Sequence, residues 1–434
     1  MTSTPGAELD ARDRTVLAAV EAQRSAMVAA LDRLLAIPSL GGSAAEVDAQ
    51  AHLAEEWTAE GLDVDTWSLD LAALQAHPDF PGMEVTRTGG LGVTATLHGR
   101  GNGPTLLLDG HTDVVPAGDL GAWSGDPFIP RHLTRAGQDI VIARGSADMK
   151  AGVISAWFAV RAIRSALGEA ALAGDVILAP VSGEEDGGLG TFALLAHGVR
   201  ADACIIPEPT DLDIMLANGG ALTFRLTIRG QATHASRRTE GVSALDLLVP
   251  VMAALADLEA RRCAHPDPLM GRWSPAYPLS IGTVHAGDWA SSVPDRLVAE
   301  GRYGVALGES VDAARAEFEA CIAAVSAADP WLRDHPVEVT WWGGQFASGR
   351  TDPDARIVDV VRRAQARAQG RIPEAYAGPY GSDLRLLVGH GGIPTLQYGP
   401  GDARFAHGPD EWVAVDDVVA CARGIALAVL DFCG

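Results

Sequence analysis

The sequence TLLLDGHTD at residues 105–113 sets a pattern that recurs along the chain. Its three leucines form a short, mostly apolar run that suits a buried strand and ends at the polar His111. The pattern returns in DVILAPVSGEE at residues 175–185 and in ACIIPEP at residues 203–209. Because reactive groups of α/β sheets gather just past the carboxyl ends of strands, we expect the polar residues that follow these runs to share one edge of a sheet.

Strand patterns of this kind alternate with helical ones, which favours an α/β catalytic domain with a mixed sheet covered by helices. Helical spacing of apolar residues occurs at residues 14–36, 45–61 and 150–167. From about residue 221 the order changes to β-α-β-β-α, which indicates an inserted α+β module. The predicted segments are residues 1–219, the first part of the catalytic domain; residues 220–342, the inserted module; and residues 343–434, the second part of the catalytic domain.

The composition is that of a folded, strongly acidic protein. With 434 residues and a formal net charge of −23, the chain can bury a sizeable core, and its surface repels phosphate backbones, so we expect no nucleic-acid partner. No stretch approaches the roughly 20 apolar residues of a membrane helix, so we expect no membrane partner. The five cysteines are scattered without a CxxC pair, and the N-terminus has no apolar signal core, so we expect a cytoplasmic protein.

His111 and Asp113 share one side of an extended segment, because strand side chains alternate. One interpretation is that His111 binds a metal ion while Asp113 holds the imidazole from behind; the other is a surface turn. Asp148 follows small residues in RGSADMK, residues 144–150, and its two carboxylate oxygens could bridge two cations. The alternative for Asp148 is a simple helix N-cap.

Glu184 and Glu185 are adjacent carboxylates on a loop next to a glycine, and they repel each other unless a cation is near. One of them would bind metal, and the other would serve as a base for water, whose pKa falls to about 7 on zinc. Glu208 lies between two prolines that stiffen its loop, and His407 precedes a glycine. An exposed loop position is the alternative for each residue. Their joint occurrence, mostly after predicted strands, favours a metal site.

Six blocks of sequence, in this order, resemble the di-zinc aminoacylase/carboxypeptidase family of metallohydrolases, which includes acetylornithine deacetylase, succinyl-diaminopimelate desuccinylase and glutamate carboxypeptidase. The resemblance spans most of the chain. The blocks are LDGHTDVVP at 108–116, RGSADMK at 144–150, GEE at 183–185, PEP at 207–209, GQATHAS at 230–236, and GPG at 399–401 followed by His407 and Glu411.

This resemblance implies two divalent metal ions as cofactors. Asp148 would bridge them, His111 and Glu208 would complete one site, and Glu185 and His407 would complete the other. Zn²⁺ is favoured because imidazole and carboxylate ligands suit it, while Co²⁺ and Mn²⁺ fit the same ligands.

The resemblance also implies the remaining catalytic roles. Glu184 would be the general base and later the proton donor to the leaving amine, with Asp113 behind His111. His234 would polarise the scissile carbonyl, either in cis or across a homodimer. The inserted module would act as a lid and as the dimerisation surface.

The chain departs from the family pattern where the anionic end of a substrate is held. Ser292 stands where the family usually has asparagine, and no arginine lies around Trp341 and Trp342, where the family has one. A serine offers one short donor, and tryptophan offers stacking area rather than charge, unless the two tryptophans simply pack in the core of the module. The candidate substrate-binding residues are Ser292, Arg350, Ser382 and Arg385.

These features favour a hydrolase that cleaves the amide bond of a small N-acyl amino acid or related amide, with water activated by two metal ions and Glu184 as general base. A dipeptidase or carboxypeptidase that releases a C-terminal amino acid is the alternative. A metal-free binding or scaffold homologue is a third possibility. The sequence has no GxSxG elbow and no HExxH motif, which disfavours serine hydrolase and mononuclear zincin chemistry.

Overall fold

The computed structural model describes residues 8–168 and 171–434, and the chain forms two compact units. The first unit comprises the described parts of residues 1–216 together with residues 351–376 and 386–434. The second unit comprises residues 217–350 and 377–385. It begins close to the predicted residue 220, but it extends past residue 342 because its last long strand continues to Phe346. It also takes in a short later segment that the prediction placed in the catalytic domain.

Within residues 8–168 and 171–434, the strands divide between three sheets. In chain order they are β1 (Asp63–Ser68), β2 (Leu91–Leu97), β3 (Leu106–His111), β4 (Arg131–Arg135), β5 (Gln138–Ile142), β6 (Val176–Val181), β7 (Ala203–Ile206), β8 (Ile214–Asn218), β9 (Gly220–Arg229), β10 (Leu279–Ala286), β11 (Arg296–Val305), β12 (Glu338–Phe346), β13 (Gly349–Arg350), β14 (Ala375–Gly378), β15 (Thr395–Gln397) and β16 (Trp412–Ala414).

The helices are, in chain order, α1 (Ala11–Ala22), α2 (Arg24–Leu35), α3 (Ala44–Ala59), α4 (Leu71–Gln75), α5 (Ala151–Leu167), α6 (Leu189–His197), α7 (Ala244–Arg262), α8 (Val311–Ala328), α9 (Arg356–Gln369), α10 (Leu384–Gly389) and α11 (Val415–Cys433). The single helix predicted over residues 14–36 is wrong. It is two helices, because Gln23 leaves the helical conformation with φ −95° and ψ 1°. Across the described residues, no helix combines the length and hydropathy needed to cross a bilayer.

The main sheet of the first unit is mixed, as predicted, and follows the order β1-β2-β6-β3-β7-β15-β8. β3 lies inside this sheet, parallel to both β6 and β7, and all of its residues are buried. The register pairs His111 with Val181 of β6, and Leu108 with Ile205 of β7. The carboxyl ends of these three strands therefore lie along one edge, and the polar loops that follow them are neighbours.

Helix α5 is the central helix of the first unit. Its first ten residues, Ala151–Val160, are all buried, on every side, as is typical of a helix inside a core. It packs against α1, α2 and α11, and α11 also packs against α9. A Cβ atom at Gly152 would lie 1.9 Å from the carbonyl oxygen of Pro207, so glycine is required where α5 meets the loop that carries Glu208.

The second unit has the predicted β-α-β-β-α order, closed by β12. Its antiparallel sheet follows the order β10-β11-β9-β12, α7 packs on the sheet, and α8 packs beside α7. Phe318 contacts both Phe224 and Trp341 in the core of this unit. The ring of Trp342 lies 4.9 Å from the guanidinium carbon of Arg225. Trp341 is therefore a packing residue of the inserted module, which was one of the two expectations for it.

Candidate metal centre

The five predicted metal ligands all lie in the first unit, and four of them come from the same edge of its sheet or from the start of α5. His111 ends β3, Glu185 follows β6 and Glu208 follows β7. Asp148 lies in the irregular segment Ser146–Lys150 that leads into α5. His407 comes from the loop before β16.

The carboxylate of Asp148 lies between the two imidazoles. Its Oδ1 is 3.0 Å from Nε2 of His111, and its Oδ2 is 3.4 Å from Nε2 of His407. Each imidazole also faces a glutamate: Glu208 Oε1 is 3.8 Å from His111 Nε2, and Glu185 Oε1 is 3.2 Å from His407 Nε2. Ligand atoms of His111, Asp148 and Glu185 all lie within 4.8 Å of one another. Each imidazole thus faces Asp148 and one glutamate, and we call these two groups, His111 with Glu208 and His407 with Glu185, the half-sites.

The charges in this cluster perturb one another strongly. Burial lowers the pKa of His111, but the Asp148, Glu208 and Asp113 carboxylates together raise it well above its usual value. Hydrogen bonds to Asp148 and Glu185 raise the pKa of His407 to about 11. Burial raises the pKa of Asp148, but the two imidazoles hold it well below its usual range. Four carboxylates thus attract positive charge into a small volume, which is the electrostatic condition that a cation site needs.

Asp113 supports the site through two different groups. Nδ1 of His111 donates to the backbone carbonyl of Asp113 at 2.9 Å, whereas the nearer carboxylate oxygen is 3.7 Å away. The carboxylate instead accepts from the backbone N–H groups of Glu184, at 3.3 Å, and of Glu185, at 3.2 Å. Burial raises the pKa of Asp113 to about 7. Asp113 therefore orients His111 with its main chain and the glutamate loop with its side chain.

Glu411, for which no role was predicted, organises the loop that carries Asp148. Its Oε1 accepts from the N–H groups of Ala147 at 2.9 Å and of Asp148 at 3.0 Å. Its Oε2 accepts from Arg144 Nη1 at 2.6 Å, and Arg144 Nη2 donates to the carbonyl of His407 at 3.3 Å. The buried Arg144–Glu411 pair therefore connects the loops of two predicted ligands. Glu411 was visible in the sequence only as part of a family block.

Lys150 fixes the same segment from the other side. Its Nζ donates to the carbonyls of Leu34, at 3.0 Å, and Ile37, at 2.8 Å, which lie at the end of α2. Burial lowers the pKa of Lys150 to about 7. The segment before α5 is thus anchored at both of its ends.

The predicted residues outside these loops lie in the second unit. His234 is exposed, forms an isolated bridge with Ser292, and its Nδ1 lies 2.8 Å from Ser236 Oγ. Arg350 Nη1 donates to Asp267 at 2.8 Å. The roles predicted for these residues in catalysis and substrate binding stay predictions.

Ser382 and Arg385 are buried within the second unit. Ser382 Oγ donates to Asn218 Oδ1 at 2.9 Å. Arg385 Nη1 donates to the carbonyl of Ser382 at 2.8 Å, and its guanidinium carbon lies 4.0 Å from the centre of the Phe346 ring. These contacts give both residues a structural role, and their predicted part in substrate binding stays a prediction.

Comparison with known proteins shows which family the chain resembles. The family model described as Peptidase family M20/M25/M40 matches residues 107–431. Over 442 residues the chain is 25% identical to N-formyl-4-amino-5-aminomethyl-2-methylpyrimidine deformylase of Halalkalibacterium halodurans, covering 96% of this chain and 97% of that protein. Over 340 residues it is 31% identical to succinyl-diaminopimelate desuccinylase of Stenotrophomonas maltophilia, covering 74% and 82%.

The fold is likewise similar to a solved structure. The dipeptidase Dug1p of Saccharomyces cerevisiae aligns with a TM-score of 0.76 at 16% identity, covering 97% of this chain and 98% of that one. The family predicted from the six sequence blocks is confirmed, and with it a metal-dependent hydrolase. The chain belongs to peptidase family M20/M25/M40.

Proposed function

We propose that this protein hydrolyses the amide bond of a small N-acyl amino acid or related N-acyl amine, with two divalent metal ions as cofactors. The observation that carries the proposal is the carboxylate of Asp148, whose two oxygens face two different histidines at 3.0 and 3.4 Å. A carboxylate in this position has one donor atom for each of two cations.

The donor set fits such ions. His111 and Glu208 with Asp148 would hold one ion, and Glu185 and His407 with Asp148 would hold the other. Imidazole and carboxylate donors suit Zn²⁺, and Co²⁺ and Mn²⁺ accept the same ligands. When bound, two such ions polarise a carbonyl group and acidify water.

Glu184 is the proposed general base. Its side chain is buried, and its backbone N–H is held by the carboxylate of Asp113. Its neighbour Glu185 faces His407 at 3.2 Å, which supports assigning Glu185 to metal binding and Glu184 to proton transfer. Glu184 would accept a proton from the attacking water and deliver it to the leaving amine.

A deacylase is favoured over a peptidase by the names of the relatives. The deformylase and the desuccinylase both match this chain in sequence over most of its length. Dug1p, named as a dipeptidase, supports the fold alone at 16% identity. A dipeptidase or carboxypeptidase is therefore the second candidate. A metal-free scaffold is the third, and the complete set of candidate ligands argues against it.

A substrate screen tests the proposal. The metal-free protein is reconstituted with Zn²⁺, Co²⁺ or Mn²⁺ and offered N-formyl, N-acetyl and N-succinyl amines and amino acids beside dipeptides. We expect metal-dependent release of an amine from at least one acylated compound. Turnover of dipeptides alone would favour the second candidate, and protein that neither binds nor responds to any of the metals would favour the third.

We also propose a homodimer that forms through the second unit. Leu245, Val249 and Met252 form an apolar stripe on α7, with exposed fractions of 49%, 66% and 52%. Their spacing places them on one face of the helix. Beside α7, β10 is the edge strand of its sheet. A second copy of this chain would cover both features, because a two-fold axis brings the same edge strand and the same helix face of the two copies together.

Light scattering tests the dimer. It should give a dimer mass for the wild type and a monomer mass for Val249→Glu; a monomeric wild type would contradict the proposal.

For its location we propose the cytoplasm. All five cysteines are free, and Cys204, Cys421 and Cys433 are buried. Free thiols are typical of a reducing compartment. Fractionation of the native host would test this, and recovery outside the cytoplasm would contradict it.

A further inference from the structure

A buried ionic cluster in the first unit adjoins the loop of Glu184. The guanidinium of Arg87 donates to Glu46 from Nε (2.9 Å) and from Nη2 (2.8 Å). It also donates to Asp186 from Nη1 and Nη2, at 2.8 Å each. The side chains of Arg87, Glu46 and Asp186 are only 2%, 5% and 9% exposed. Arg87 thus binds two carboxylates in bidentate fashion at a site nearly closed to water.

The cluster holds the glutamate loop at both of its ends. Asp186 directly follows the two glutamates, and its Oδ2 also accepts from the N–H groups of Glu84 and Val85 at 3.0 Å. At the other end, a Cβ atom at Gly183 would lie 3.0 Å from Arg87 Nη2, so the guanidinium lies against the backbone there. Arg87 therefore contacts residues on both sides of the adjacent glutamates.

The far side of the cluster is a helix. Glu46 lies in the first turn of α3, and its Oε2 also accepts from the N–H of Gly42 at 2.9 Å. The guanidinium therefore joins the loop to a fixed part of the first unit. On the opposite side of the loop, the Asp113 carboxylate holds the N–H groups of Glu184 and Glu185.

We propose that Arg87 is a positioning residue for Glu184 and Glu185, which it holds in place by fixing residues 183–186 against α3. The inference rests on the proposed function, in which Glu184 is the base. Residues 184–186 are three successive acids, and the guanidinium offsets the repulsion among them. Lysine in place of Arg87 would keep the charge but lose the planar fork that binds two carboxylates at once.

The test compares Arg87→Lys with a matched control, Arg367→Lys, in the full-length protein. Arg367 also joins two carboxylates within the first unit, Asp13 at 3.2 Å and Asp431 at 2.7 Å, and its side chain is 13% exposed. Hydrogen exchange is measured by mass spectrometry on the metal-free proteins, in the peptide that contains residues 183–189. Metal content, kcat and KM are then measured on the metal-loaded proteins, with Glu184→Gln beside them.

We expect the peptide to exchange at least about tenfold faster in Arg87→Lys than in the wild type, and at the wild-type rate in Arg367→Lys. We expect kcat of Arg87→Lys to fall by about 10²-fold with KM within about twofold, because small displacements of a base cost this much. Arg367→Lys should lose thermal stability but keep kcat.

Wild-type exchange together with wild-type kcat in Arg87→Lys would overturn the inference. If Arg87→Lys does not fold, Asp186→Asn replaces it and is judged by the same criteria, since it leaves the pair of Arg87 and Glu46 intact. Full activity in Glu184→Gln would contradict the proposed function itself. Loss of activity in Glu184→Gln, with exchange and kcat of Arg87→Lys both at the wild-type level, would contradict only the role of Arg87.

Discussion

His111 and His407 flank the same carboxylate but belong to very different surroundings. The side chain of His111 is 1% exposed, it ends a buried strand, and its Nδ1 is held by the backbone of Asp113. The side chain of His407 is 54% exposed, and its residue lies in a loop with φ of 61°. The main sheet thus positions His111 directly. The position of His407 depends on a loop that the Arg144–Glu411 pair holds in place. We expect the half-site of His111 to be the tighter one.

The largest expected effect comes from the residue that both half-sites share. Asp148→Asn keeps the shape of the side chain but removes the charge that faces both imidazoles. We expect the protein to bind neither metal ion stably and activity to fall below detection. Metal analysis by mass spectrometry and a turnover assay would check this. A variant that still holds two ions per chain would show that Asp148 does not bridge them.

Glu184→Gln should separate catalysis from metal binding in both half-sites. Glutamine cannot accept the proton, so we expect kcat to fall by about 10²–10⁴-fold. Metal content should equal that of the wild type, because Glu184 is not one of the candidate ligands. Loss of metal together with turnover would show that Glu184 is a ligand instead.

Replacing each of the two histidines with alanine tests whether their half-sites differ. His111→Ala leaves a cavity and removes the imidazole that faces both the Asp148 and the Glu208 carboxylates, so we expect loss of both ions and a lower Tm of the metal-free protein. His407→Ala should keep one ion per chain and a Tm near that of the wild type. Equal metal loss and equal Tm in the two variants would show that the half-sites do not differ.

Glu411→Gln should weaken metal binding without removing a ligand. The substitution replaces the charged acceptor of the Asp148 loop and loosens its tie to Arg144. We expect metal affinity to fall by about 10–100-fold, as is common for groups that orient ligands. A competition titration with a chelator measures this, and unchanged affinity would show that the loop is held without Glu411.

The smallest expected effect is a pH-dependent change in Tm at Asp417, outside the metal centre. Burial, with the nearby Asp211 and Asp416, raises the pKa of Asp417 to about 6. Its folded pKa is thus above the unfolded one, so ionisation of Asp417 lowers the stability of the fold. This loss begins as the pH rises through about 4 and is complete above about pH 6. We expect Asp417→Asn to raise Tm by roughly 1–3 °C at pH 7.5 and by less at pH 5. An equal shift at both values would contradict this account.

The sheet edge and its ligands could be predicted because their signals are local. β3, β6 and β7 are recognisable as apolar runs: His111 ends β3, Glu185 comes four residues after β6, and Glu208 comes two residues after β7. The small sheet of β4, β5 and β16 was missed, because β4 reads RHLTR and four of its five residues are exposed. The break at Gln23 was missed as well, since neither glycine nor proline marks it.

The supporting ion pairs could not be predicted from the sequence. Arg87 lies 41 positions from Glu46 and 99 from Asp186, and Arg144 lies 267 from Glu411. A single charged residue carries no local sign of its partner, because only the folded chain brings the two together. The carboxylate of Asp113 shows the same limit: its position in HTD indicated a partner for His111, whereas its contacts with the glutamate loop required the register of β3 and β6.

We expect Asp148 to join two cation sites of unequal burial. Anomalous diffraction at the zinc edge, from crystals of zinc-loaded protein, tests it most directly. We expect two peaks beside the Asp148 carboxylate, roughly 3.5–4 Å apart. One peak should contact His111 and Glu208, and the other, with lower occupancy at limiting zinc, should contact Glu185 and His407. A single peak, or two peaks that do not share Asp148, would contradict the account.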